Sequence, residues 1–81
     1  MMRDIGEVIE KMVREIPDKW DNRRFVTGRL RSVANSAKYT APELMPQRWS
    51  EVAGILETYV GDPTEEWKLR IASIFAGRNS I

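Results

Sequence analysis

Cysteine and histidine are both absent from these 81 residues. Their absence excludes disulfides, thiolate zinc sites and imidazole acid–base or metal chemistry. It also removes every nucleophile–base pair built on a thiol or an imidazole. Long apolar runs are missing as well: none approaches the roughly 20 residues of a membrane-spanning helix. The opening stretch, MMRDIGEVIEKMV, mixes charge with its apolar pairs and has no continuous apolar centre of a signal peptide. A cysteine-free chain fits a reducing compartment, so the reading is a cytoplasmic protein with no membrane association. Glycines are few and scattered, with no phosphate-cradling loop, and no acid cluster has the spacing of a calcium or magnesium site. Glu65 and Glu66 are adjacent, so a helix points them about 100° apart and they cannot act as a carboxylate pair. Their ordinary role is to complement the positive end of a helix. The expectation is a non-enzymatic protein with no catalytic, cofactor-binding or metal-ligating residues.

Charge, by contrast, is plentiful and unevenly placed. The net charge is only +1, from thirteen Lys and Arg against twelve Asp and Glu. The stretch Lys19–Lys38 holds six of those bases and one acid, Asp21, and so carries +5; the remainder carries −4. Apolar residues at 42% and charged residues at 31% belong to a folded domain rather than a disordered chain. At this length, one domain has to rely on packed apolar faces or on a partner subunit.

Periodicity predicts an all-α fold: one compact domain over 1–77, a frayed tail over 78–81, and four short helices at about 3–16, 19–38, 46–60 and 63–76. In the first, Ile5, Val8, Ile9, Met12, Val13 and Ile16 form one stripe, Arg3/Glu7 and Glu7/Lys11 pair on the wet side, and Pro17 ends the element. In the second, Val26, Leu30, Val33, Ala34 and Ala37 face the core, with Asp18 or Asp21 as N-cap. Gly28 in mid-helix costs about 1 kcal/mol relative to Ala, which suggests a close approach to the backbone there. Thr40 to Pro46 is a proline-bracketed corner, with Thr40-Ala-Pro-Glu43 shaped as a capping box around a single helical turn. The third helix carries Trp49, Val52, Ala53, Leu56, Tyr59 and Val60 on its stripe, with Ile55 on the flank, and Gly61 closes it. Asp62-Pro63-Thr64-Glu65 signals the start of the fourth, whose main face is Trp67, Ile71, Ile74 and Phe75. The expected packing has helices 1, 3 and 4 closing around the apolar side of helix 2 with non-parallel crossings. Trp20 either clamps helix 1 to helix 2 or stacks on Arg24.

Three surfaces are candidates for function. Phe25 lies off the core stripe beside Arg29, Ser32 and Ser36, and Arg24, Arg31 and Lys38 recur every seventh residue. An exposed aromatic with arginines at its edge is the composition of an interface anchor, here suited to a protein partner with an acidic surface. The partner-binding set is therefore Arg24, Phe25, Arg29, Arg31 and Lys38, taken as one shared surface. Leu69, Ala72 and Ala76 form a second apolar face on helix 4, either a self-association face of a homo-oligomer or a side buried between neighbours. Asn22, Arg23, Arg24 and Arg31 suit a second-choice reading, a nucleic-acid-binding regulator. The pI near 8.1 is low for a dedicated nucleic-acid binder. The plain alternative for the basic stripe is a solvated face answered by acidic neighbours. The resulting expectation is a small helical adaptor or inhibitor, with the general character of an accessory protein of a phage or mobile element.

Overall fold

Ile5 starts the first helix because Asp4, in an extended conformation, accepts a hydrogen bond from the Glu7 amide at 3.0 Å. The computed structural model describes residues 4–79. The expected start at Arg3, the Arg3/Glu7 pair and the last two residues of the tail lie outside that range. Within it the chain is all-helical: α1 (Ile5–Glu15), α2 (Arg23–Ala37), α3 (Met45–Ile55) and α4 (Glu66–Ala76) form one compact domain.

The α1 stripe of Ile5, Val8, Ile9, Met12 and Val13, with Ile16 beyond its end, is buried, and Ile9 and Met12 are fully enclosed. The helices pack in series: α4 on α1, α1 on α2, and α2 on α3, so α1 and α2 share the centre. This corrects one part of the expected packing around α2: α4 docks on α1 instead, tied there by Arg70, which bonds Glu15 of α1 and Glu66 of its own helix. Core burial on α2 follows the predicted stripe, with Val26, Leu30 and Val33 inside and Ala34 and Ala37 packed at the margin.

The helix boundaries moved where tryptophans had to be seated. α2 begins at Arg23, four residues later than expected, because residues 17–22 form successive turns closed by Trp20 N–H to Pro17 C=O and Arg23 N–H to Trp20 C=O. The N-cap is Asn22 rather than either aspartate, and it makes no side-chain cap bond. Those turns carry Trp20 onto Trp67 of α4, with ring centroids 5.0 Å apart, so Trp20 clamps the α1–α2 turn to α4 and does not stack on Arg24. α4 likewise begins at Glu66, not Pro63. Asp62 C=O takes the Thr64 amide in a tight turn, and Glu65 is extended, its carboxylate accepting the Trp67 indole N–H at 3.0 Å.

The corner contains the expected single turn, a 3-10 turn at Pro42–Leu44, and α3 follows directly from Met45 with Pro46 in its first turn. Thr40 is not the cap of that turn: its hydroxyl donates to Ser36 C=O at 2.8 Å and closes the end of α2 instead. α3 runs into a π-helical turn, Leu56–Val60, bonded from the Gly61 amide to Leu56 C=O. Gly61 then takes φ +71°, a conformation that L side chains rarely adopt. Beyond α4, Arg78 lies in a 3-10 turn, Gly77–Asn79. Its guanidinium donates to Phe75 C=O at 2.8 Å, and lies 4.0 Å from the Phe75 ring centroid and 5.6 Å from that of Trp49.

Candidate docking surface

α2 presents two separate flanks to the outside, not one shared surface. At about 100° per residue, Arg24, Arg31 and Lys38 share one sector and Phe25, Arg29, Ser32 and Ser36 another. The neighbours fix which sector faces where. Arg31 meets α1, its Nε and Nη2 donating to the two oxygens of Glu10 at 2.9 and 3.0 Å. Phe25 meets the end of α3, edge-on to Tyr59 with centroids 5.1 Å apart and planes at 70°. The seven-spaced bases and the aromatic anchor therefore look toward different sides of the helix.

The Phe25 flank is the more structured. Phe25 remains 52% exposed although it touches Tyr59. The Arg29 guanidinium sits 6.0 Å from the Phe25 centroid, in range for a cation–π contact. Beside this pair runs an open groove of about 460 Å³ between α2 and α3, floored by Val33 and Ile55 and lined by Ser32 and Ser36 of α2, Gly54 of α3 and Thr58 of the π turn, with Arg29 and Glu51 as its charged members. The π turn carries Thr58 and Tyr59 into the lining of this groove beside Ile55. Tyr59 and Thr58 were not among the residues anticipated for this site: Tyr59 was read as one residue of the third helix's core stripe, and Thr58 carried no signal.

Neither of the mid-helix glycines is needed by the chain itself. A Cβ built on Gly28 or on Gly54 meets nothing within 4 Å, and neither has positive φ. The close approach inferred at Gly28 is thus not made by any part of this molecule among the described residues. Gly28 and Gly54 are both exposed, one next to Phe25 along α2 and the other on the groove wall.

On the opposite flank the bases are partly spent. Hydrogen bonding to Arg31 holds the Glu10 carboxyl below its ordinary range, with burial opposing the shift, and raises the guanidinium in return. Arg23 is engaged too: its Nε donates to Ile16 C=O at 3.3 Å and lies 3.3 Å from Asp18. Because Glu10 and Asp18 both lie outside Lys19–Lys38, these pairs reduce the unanswered excess of that stretch from five to three. Arg24, Arg29 and Lys38 are exposed and form no ion pair among the described residues. Of the four residues considered for nucleic acid, Asn22 and Arg24 stay open while Arg23 and Arg31 are tied to the protein.

On α4, Leu69 is 54% exposed and Ala72 and Ala76 are exposed, so this face is not buried between neighbouring helices. Tyr39, at the end of α2, is 91% exposed and was passed over in the sequence as part of a corner. Among the described residues no group of three or more acids is placed to hold a metal ion, and no helix is long and apolar enough to cross a membrane. No protein-family model matches this chain, and comparison with curated proteins and with solved structures finds no match.

Proposed function

We propose that this chain is a small interaction module, an adaptor or inhibitor that acts by docking the Phe25–Arg29 flank of α2 and the adjoining α2–α3 groove on another protein. The observation that carries this reading is the half-exposed Phe25, packed edge-on against Tyr59 and bordered by a groove lined by small side chains together with Arg29 and Glu51. An aromatic anchor already ordered before binding loses little conformational freedom when it is covered, and aromatic and arginine residues are the commonest strong contributors at interfaces. The unpaired Arg29, with Arg24 and Lys38 further around the helix, favours an acidic partner surface and speeds encounter with it. Support also comes from the two glycines that the fold does not require, each leaving helix backbone open to close contact.

The test compares wild type with Phe25→Ala and Arg29→Gln in affinity capture from the native host, with thermal melts as the control for folding. Arg29→Gln is expected to melt within a few degrees of wild type; Phe25→Ala loses an edge-to-face aromatic pair of about 0.5–1.5 kcal/mol beyond its buried area and is expected to melt roughly 2–12 °C lower while still unfolding cooperatively. Capture of the specific partner is expected to be lost with Phe25→Ala and weakened with Arg29→Gln. Equal capture by Phe25→Ala would remove this flank from the proposal. Tight duplex binding that falls steeply with salt would instead favour the nucleic-acid reading through Arg24 and Asn22.

A further inference from the structure

Of the half-buried arginines among the described residues, only Arg78 faces no acid. Arg23 lies against Asp18 and Arg48 against Glu51, whereas Arg78 forms no ion pair. Its guanidinium is held all the same: it lies 4.0 Å from the Phe75 ring centroid and gives Nη1 to Phe75 C=O. That leaves the Nε–Nη2 edge without a bond among the described residues, although Nε is buried. Arg31 shows what this edge suits, since its own Nε and Nη2 hold the two oxygens of Glu10 at 2.9 and 3.0 Å. A planar fork of two N–H groups matches a carboxylate in shape as well as in charge.

A second orphaned donor belongs to the same place. Trp49 is 4% exposed, and its indole N–H has no acceptor among the described residues. A charge or an N–H withdrawn from water without a partner is costly, so two such groups together call for an acceptor. Trp49 and Arg78 line one groove of about 210 Å³ between the start of α3 and the C-terminal 3-10 turn, with Pro46, Ser50, Ala53 and Phe75 as its other walls. The lining thus offers donors, two aromatic rings and aliphatic surface, but no carboxylate. It shares no residue with the groove beside Phe25 and does not rest on the docking reading. We infer that this groove binds a small carboxylic acid with an apolar body. The carboxylate takes the Nε–Nη2 edge of Arg78 and the indole N–H of Trp49, and the apolar body packs on Pro46, Ala53 and Phe75. Arg78 stands on the terminal turn, so its side chain is the wall that opens to admit the ligand and closes over it. The volume is below the roughly 300–1,000 Å³ of a drug-sized site, which limits the ligand to a small acid and its Kd to the order of 1 mM.

The test is a proton–nitrogen NMR titration of the full chain with sodium benzoate up to about 30 mM at constant ionic strength, set to bracket that Kd. The Trp49 indole N–H and the Arg78 Nε–H are expected to move along one saturable curve, with the Trp20 and Trp67 indoles unmoved. Acetate, which lacks the apolar body, is expected to bind at least tenfold more weakly. Arg78→Gln is expected to lose binding, with circular-dichroism melts confirming that it folds. Ser50→Glu, at an exposed position on the groove wall, supplies a carboxylate from the chain itself; it is expected to raise Tm and to abolish the benzoate shifts. A Trp49 indole that shows no saturable shift in wild type overturns the inference, because the two donors would then meet only water. Benzoate binding that survives in folded Arg78→Gln, or in Ser50→Glu, overturns it as well. Inorganic phosphate binding more tightly than benzoate would make this an oxyanion site without an apolar requirement and overturns the assignment to a carboxylic acid.

Discussion

Gly28→Ala is expected to make this protein more stable, and Gly61→Ala less so. Gly28 is the sixth of fifteen residues in α2, exposed, with open space where a Cβ would point. The substitution therefore adds no clash and buries no new surface, leaving only the difference in helix propensity. That difference favours Ala by about 0.8–1.0 kcal/mol in a helix interior. For a domain of this size, about 1 kcal/mol raises Tm by roughly 4–8 °C. Gly61 also has space around its Cβ position, but its φ of +71° is strained for an L residue. The same methyl group there is expected to destabilise by more than about 1 kcal/mol, since the chain must strain or re-form the end of the π turn. Melts followed by circular dichroism, checked by urea unfolding, read both effects. A Gly28→Ala protein that melts at or below the wild-type temperature would refute the reasoning, because it would mean that the backbone at Gly28 is not ordinary open helix. The stabilised variant then has a second use: if a partner seats over this stretch of α2, capture weakens even as the fold becomes stronger. A more stable variant that binds as well as wild type would show that the partner does not reach Gly28.

Met12→Ala is expected to cost about 2–5 kcal/mol, read by urea unfolding, because the side chain is fully enclosed on α1 and the site cannot collapse without moving α2 and α4. Arg78→Ala is expected to lower Tm and to change tryptophan fluorescence, since it uncovers Phe75 and Trp49 and removes the side-chain donor to the Phe75 carbonyl; an unchanged melt would return Arg78 to the loose tail read from the sequence. Glu10 gives the pH dependence. Its folded carboxyl is held below its ordinary value by Arg31, so the pair stabilises above the unfolded value and loses that contribution as pH falls through the folded one. In Arg31→Gln the melting deficit relative to wild type should be full at neutral pH and shrink below about pH 4. A deficit constant across that range would mean that the pair contributes nothing through ionisation.

How much was legible in the sequence depended on what held each element. α1 was read almost residue for residue, because Ile5, Val8, Ile9, Met12 and Val13 satisfy one period with no competing demand and Pro17 supplies the stop. The starts of α2 and α4 were misplaced for one shared reason. Local signals such as Asp18, Asp62 and Pro63 describe what a chain segment prefers alone, whereas Trp20 and Trp67 leave those registers to pack on each other. The contact joins residues 47 apart, and no local pattern reports it. The same holds for the centre of the fold. Both α1 and α2 have a core stripe, and nothing local says that α4, held by Arg70, docks on α1 rather than on α2. In the candidate site, Phe25 and Arg29 were visible because they break the stripe of their own helix. Tyr59 was not singled out, because it read as one residue of a core stripe and its contact with Phe25 is made between distant parts of the chain.

The charge of α2 illustrates why composition was a weaker guide than placement. An excess of +5 in twenty residues resembles the electrostatic footprint of a nucleic-acid binder. Yet Arg31 is spent on holding α2 to α1 through Glu10, and Arg23 on closing the turn at Ile16 and Asp18. Such pairs at half-exposed positions add little to stability, but they fix orientation and remove two bases from any outside contact. Of the four bases that remain without ion pairs, Lys19 lies in the turns before α2, Arg29 stands alone beside Phe25, and Arg24 and Lys38 face the other way. A phosphate backbone is best met by several cations along one track. A single guanidinium stacked on a half-buried aromatic, next to a groove lined in part by small residues, is instead the pattern of a compact anchor, where one ring and one charge are covered together. That is the reason the docking reading rests on Phe25 and Arg29 rather than on the net charge of the helix.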